Sequence, residues 1–168
     1  DYVDEASIHA CADAVLERTG GRLDALFNNG AYGQVGAVED LTTDVLRRQF
    51  ETNVFGWHTL TRRIVPVMRA QGHGRIVQCS SILGFVAGKY RGAYVGSKFA
   101  LEGLTDSLRV ELCGSGVQVA LIEPGPIATR FTQNALANFH ATVDVEGSIH
   151  RDEYQSQLAR MKGTRRPS

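Results

Sequence analysis

Three short apolar runs, each preceded by a helical stretch and each stopping at polar or glycine-rich residues, most constrain how this chain folds. Leu23 to Phe27 ends in Asn28-Asn29-Gly30-Ala31. Arg75 to Cys79 ends in Ser80-Ser81, and the β-branched run Val117 to Ile122 leads into Pro124-Gly125-Pro126. Continuous apolar strands suit burial on both faces, and their alternation with helices is the pattern of a doubly wound parallel sheet. The expectation is therefore an α/β, Rossmann-like, three-layer αβα arrangement. In such sheets ligands bind outside the carboxyl ends of the strands, so the three polar strand ends define one expected rim.

The helices read from spacing and punctuation. Asp4, followed by Glu5 and Ala6, starts one; Ile8, Cys11, Val15 and Leu16 give its apolar face, and Gly20-Gly21 stops it. A second spans roughly 43–70, capped by Thr42 or Thr43, with Asn53 and Gly56 as poor formers inside it and Pro66 expected to kink it. A third covers about 93–113, with a ridge of Leu101, Leu104, Leu108 and Leu112. Gly30, Gly33 and Gly36 are spaced as G-x-x-G-x-x-G, but Ala37 to Leu41 intervene before any helix cap. A dinucleotide fingerprint opens a helix at its third glycine, so Gly33 and Gly36 read as a flexible loop.

Ser81, Tyr94 and Lys98 carry the chemistry. Tyr94 and Lys98, four apart on a helix, share a face about one turn apart. An ammonium there favours the phenolate and lowers the tyrosine pKa from its usual ~10, giving a general acid–base group. Ser81 would hold the reacting oxygen. A half-buried tyrosine beside a solvated lysine is the plainer alternative. Because both lie at the start of the helix after the second strand, they belong to the same rim, which favours a site.

Composition excludes other classes. Lys+Arg and Asp+Glu are both 18, so no nucleic-acid surface is indicated. No apolar run reaches the ~18–20 residues of a membrane span, and no histidine or cysteine spacing suggests a metal. Cys11, Cys79 and Cys113, an odd set, read as reduced thiols of a cytoplasmic protein.

Together Asn28-Asn29-Gly30-Ala31, Asn53-Val54-Phe55-Gly56, Ser81, Tyr94-x-x-x-Lys98 and Pro124-Gly125-Pro126-Ile127-Ala128-Thr129 make the chain resemble the short-chain dehydrogenases/reductases of the compact single-domain type, up to about Phe131. The resemblance implies an oxidoreductase that moves hydride between NAD or NADP and a carbonyl or secondary alcohol. It makes Tyr94 the acid–base residue, with Ser81 on the substrate oxygen. Lys98 would bind the nicotinamide ribose and Asn53 a water in the proton relay. Asp1 would meet the adenine; Asn28, Gly30 and Ala31 would line the cofactor together with Pro124 and Gly125, and Ile127 and Thr129 would contact the nicotinamide amide. Two departures stand out. The glycine of Asn-Asn-Gly-Ala is one place earlier than the family's Asn-Asn-Ala-Gly, and the family's first two strands and glycine-rich phosphate loop have no counterpart in 1–168. The residue that selects NAD or NADP belongs to that part.

The 168 residues are thus expected to form part of a dinucleotide-binding catalytic domain, with 127–150 as a substrate loop and 160–168 as a basic tail. Phe131, Leu136, Phe139, Val143, Val145 and Ile149 would line an apolar site, or else simply pack a small helix onto the domain. The resemblance also implies a homodimer or homotetramer through helices 43–70 and 93–113, with Phe55, Trp57, Val95, Phe99 and Val110 as outward candidates. A non-catalytic dinucleotide-binding or interaction module, and a nucleotide-sugar epimerase, are the alternatives.

Overall fold

The computed structural model describes residues 1–127 and 129–163, with side chains through 159. Ala128 of the proline–glycine motif and the 164–168 end of the predicted tail lie outside the described residues. Strands β1 (Ala25–Asn28), β2 (Gly74–Cys79) and β3 (Val117–Ile122) form a parallel sheet in the order β1-β2-β3. Asn28 pairs with Gln78, and Cys79 with Ile122, so all three strands end along one rim. The helices are α1 (Glu5–Arg18), α2 (Thr43–Phe50), α3 (Gly56–Gln71), α4 (Gly92–Glu111), α5 (Phe131–Thr142) and α6 (Arg151–Gly163).

Local chemistry sets the boundaries. Asp4 caps α1 by accepting the Ala6 and Ser7 N–H groups at 3.0 and 3.3 Å, and Thr42 caps α2 through Val45 N–H. The long helix expected over 43–70 is interrupted at Glu51–Phe55, which forms a π-helical turn; Pro66 instead lies within α3. The turn after α3 and the turn before β3 pack backbone to backbone. A Cβ on Gly116, which sits at φ 81°, would strike the Gly72 carbonyl, so that position requires glycine.

The main core joins Ala12 and Leu16 of α1, Ile64 and Met68 of α3, Ile76, Leu112, Val117 and Val119. The face of α1 differs from the expected one. Ile8, Ala12 and Leu16 are buried, whereas Cys11 and Val15 are exposed, because a strict four-residue step fits the narrow contact with α3. The α4 ridge also differs: Leu101 and Leu112 are buried but Leu104 is 49 % exposed. All these residues lie on one face of the sheet. The opposite face presents Phe27, 55 % exposed, with Val77, Ala120 and Ile122; the further helical layer of a three-layer sandwich is not among the described residues.

A second cluster gathers Ala37, Tyr90, Phe139, Val143 and Tyr154 and seats α5 and α6 on the loop after β1. Its polar centre is Tyr154, whose hydroxyl donates to Asp40 at 2.6 Å and accepts the Ala37 N–H at 2.6 Å. The loop that carries Gly33 and Gly36 is therefore packed and buried, contrary to its reading as flexible. Gly36 lies under Leu41 and Val143, and Gly33 under Phe131; these contacts come from residues up to about a hundred positions away and leave no local trace.

Truncating Leu112 leaves a cavity in the core, whereas truncating Leu104 removes a side chain already half in water. Leu112→Ala is expected to cost about 2–5 kcal/mol and Leu104→Ala about 0.5 kcal/mol or less. Urea unfolding of the two variants checks this; equal losses would contradict the assigned ridge.

Candidate active site

The rim formed by the three strand ends holds the predicted catalytic group. Ser81 follows β2 and starts the short 3-10 turn Ile82–Gly84, its Oγ accepting the Leu83 N–H at 3.1 Å. Tyr94 lies in the first turn of α4 and Lys98 one turn later, and both are buried. The Lys98 ammonium donates to the Cys79 carbonyl at 2.7 Å. It also sits 4.6 Å from the Trp57 ring centroid and 5.6 Å from that of Tyr94, within cation–π range.

The electrostatics differ from the sequence expectation in one respect. Burial raises the Tyr94 phenol above its usual value. The Ser81 hydroxyl and the positive charge of Arg91 oppose that rise, and Lys98 is not among the groups that lower it. Burial also pulls Lys98 down to about 8, against the upward pull of Cys79 and Glu102.

Asn53 is fully buried, and the π-helical turn turns it away from its own backbone. Its Nδ2 donates to the Tyr32 carbonyl at 3.0 Å and to Ser97 Oγ at 3.2 Å, and its Oδ1 accepts the Tyr32 N–H at 3.2 Å. Ser97 Oγ in turn donates to the Tyr94 carbonyl at 2.7 Å. The structure thus brings Ser81, Tyr94 and Lys98 together and joins Asn53 to them through Ser97. Such a π turn is often found where a helix must present a functional side chain.

The predicted cofactor residues divide. Asn28 is buried, with its Nδ2 donating to Thr61 and Gln78 and its Oδ1 left without a partner. Pro124 accepts the Ile82 N–H, tying the β2 and β3 ends together. Gly125 faces open space and Ile127 is 65 % exposed, while Thr129 Oγ1 accepts the Phe131 N–H at 3.2 Å. Ala31 is half-buried. Gly30 is exposed, but the Tyr2 ring occupies the space a Cβ would need, which accounts for a glycine at this place in the loop. Asp1 is exposed, with its Oδ1 accepting the Val3 N–H at 3.2 Å. An orphaned carbonyl on Asn28, a buried ammonium on Lys98 and an open Gly125–Ile127 edge along one rim fit a nicotinamide dinucleotide.

Two residues escaped the sequence reading. Trp57, expected to face outward, is fully buried; its Nε1 donates to the Gly30 carbonyl at 2.8 Å and its ring underlies Lys98. Arg91 stands three residues before Tyr94, a spacing that places it on the tyrosine's face of the helix and could have marked it. Beside it, α5 and α6 enclose a cavity of about 250 Å³, and Phe131 meets the Tyr94 ring edge-on with centroids 5.4 Å apart. Ile149, expected to line this site, is 83 % exposed and does not.

A family model described as short chain dehydrogenase matches residues 1–139. The chain belongs to the short-chain dehydrogenase family. It is 46% identical over 128 residues to the uncharacterized oxidoreductase YbbO of Escherichia coli K12, covering 76% of this chain and 48% of that protein. With retinol dehydrogenase 8 of Bos taurus it shares 34% identity over 159 residues, covering 92% and 50%. A short-chain dehydrogenase/reductase of Burkholderia phymatum, solved in complex with NAD, superposes with a TM-score of 0.81 at 27% identity, over 95% of this chain and 58% of the other. The chain spans about half the length of the curated relatives it matches.

The depressed Lys98 value has a consequence for stability. Between about 8 and 10.5 the unfolded chain holds the Lys98 proton more tightly than the folded one. Stability contributed by this group is therefore lowest below pH 8 and rises toward pH 10.5, by about 3 kcal/mol at most. Denaturant unfolding at stepped pH should show this rise in wild type and its loss in Lys98→Met; parallel profiles for the two proteins would refute it.

Proposed function

We propose that this chain supplies the catalytic half of an oxidoreductase that transfers hydride between NAD or NADP and a carbonyl or secondary alcohol. The observation that carries the reading is the convergence of Ser81, Tyr94 and Lys98 on the rim of the parallel sheet. The nicotinamide supplies or accepts the hydride when bound. Tyr94 exchanges a proton with the substrate oxygen, and Ser81 donates a hydrogen bond to hold that oxygen. Lys98 holds the cofactor ribose, and its ammonium stands 5.6 Å from the Tyr94 ring centroid. Asn53 fixes the loop at Tyr32 and holds a water in the proton relay. Asn28, Gly125, Ile127 and Thr129 border the cofactor.

The substrate body is apolar. Phe131, Leu136 and Phe139 of the 127–150 segment stand beside Tyr94 or line the adjoining cavity. A retinol dehydrogenase among the relatives accords with an apolar substrate. The segment also packs α5 onto the domain, since Phe139 and Val143 are in the second cluster, so it serves both purposes.

The partner on the α3–α4 face is a second copy of the chain, giving a homodimer or homotetramer in the cytoplasm. A groove of about 450 Å³ runs between these helices, lined by Val54, Val65, Leu101, Leu104 and Leu108. Phe55, Phe99 and Val110 are exposed nearby and Val95 half-exposed. Apolar area of this kind on a surface marks an interface. No helix of the described residues is long and apolar enough to cross a membrane.

Tyr94→Phe in the full-length protein should lower kcat by about 10²–10⁴-fold with cofactor affinity unchanged. Steady-state nicotinamide absorbance on a cognate ketone measures the first and calorimetric titration the second; near wild-type turnover would remove Tyr94 from the mechanism. Sedimentation equilibrium of the same protein should show dimers or tetramers that Leu104→Glu dissociates, and a monomer at high concentration would refute the interface.

A further inference from the structure

We infer that Arg91 recognises the substrate, and that the substrate is amphipathic: an apolar carbonyl compound or alcohol that carries a carboxylate. This rests on the oxidoreductase reading above and names the substrate class of the same site.

The cavity of about 250 Å³ at Arg91 has apolar walls from Val35, Ala135, Leu136, Phe139 and Leu158. Among the described residues Arg91 is the one charged residue lining it; Thr132, Tyr154 and Gln157 add neutral polar groups. Among the described residues the Arg91 side chain makes no hydrogen bond or ion pair. The carboxylates of the surrounding elements are already engaged. Glu39 meets His150 at 2.8 Å, Asp40 accepts from Tyr154 and Ser148, and Glu153 meets Lys89 at 2.9 Å. Burial destabilises the charged guanidinium, and its principal electrostatic partner is the Tyr94 phenol.

A half-buried cation without a counter-ion is costly, and the cost is offset when an anion arrives. The planar guanidinium matches a carboxylate through two parallel N–H···O bonds. One guanidinium pairs with one carboxylate, and the walls suit a hydrocarbon body. Arg91 lies about one helical turn before Tyr94, so the carboxylate is held close to, but apart from, the reacting oxygen.

The test uses the full-length protein. Calorimetric titration should show decanoate binding roughly tenfold to hundredfold more tightly than decanol, the range of a charge-assisted hydrogen bond. Arg91→Gln should bring that ratio to about one, and Arg91→Lys should keep part of it. Equal affinities in wild type, a ratio that survives Arg91→Gln, or no binding of either compound would overturn the inference; the wild-type ratio decides even if a variant does not fold. Reduction of ω-oxodecanoate and its methyl ester forms the second arm. The acid should have the lower KM, with the difference confined to KM and lost in Arg91→Gln. Reduction of the aldehyde without carboxylate preference overturns the Arg91 assignment alone. Decanoate binding through Arg91 with no hydride transfer to any carbonyl overturns the oxidoreductase reading instead.

Discussion

The Lys98 ammonium reaches the Cys79 carbonyl, at the end of β2, from the second turn of α4. That single charge-assisted bond joins the central strand to the helix that carries Tyr94. It also requires a nearly dry setting, because Lys98 is 1 % exposed and lies over the Trp57 ring. Trp57 in turn is fixed by its bond to the Gly30 carbonyl at the end of β1. The ends of β1 and β2 and the start of α4 are thus assembled around one buried cation. A buried ammonium with a single carbonyl partner is a poor source of stability. The lowered pKa is the measure of that cost.

The strands and helix starts were legible because their causes are local. An apolar run with a polar end, an aspartate before a helix and a glycine pair after one each act within a few residues. The spacing of Ser81, Tyr94 and Lys98 was legible for the same reason, since a helix turns four residues into one face. The π-helical turn was not. Asn53 and Gly56 marked the place as unusual, but its geometry is set by Tyr32, about twenty residues earlier in the chain. Trp57 looked like an exposed interface residue because nothing nearby reveals that Gly30 and Lys98 will surround it. Leu104 looked like core because a leucine ridge does not show which of its members faces the sheet.

Arg91 and the Gly33 loop show how the second cluster reaches the chemistry. Tyr90 sits at φ 61°, a left-handed conformation that is strained for a tyrosine. The surrounding structure holds it there: its carbonyl accepts the Gly36 N–H at 3.0 Å and its ring packs 4.9 Å from that of Tyr154. The residue that follows is Arg91, so the same anchored turn sets where the guanidinium leaves the backbone. On the other wall Gly33 has no side chain where Phe131 lies; a Cβ there would come within 2.8 Å of that ring. Phe131 can then approach Tyr94 edge-on. The aromatic cluster around Tyr154 is therefore the seat on which the cavity is built, although none of its members adjoins the cofactor rim. With Tyr94 as the proposed proton donor and Arg91 as the proposed substrate contact, a loss of the Tyr154–Asp40 bond would act only through the positions of Arg91 and Phe131, and so on substrate affinity before proton transfer.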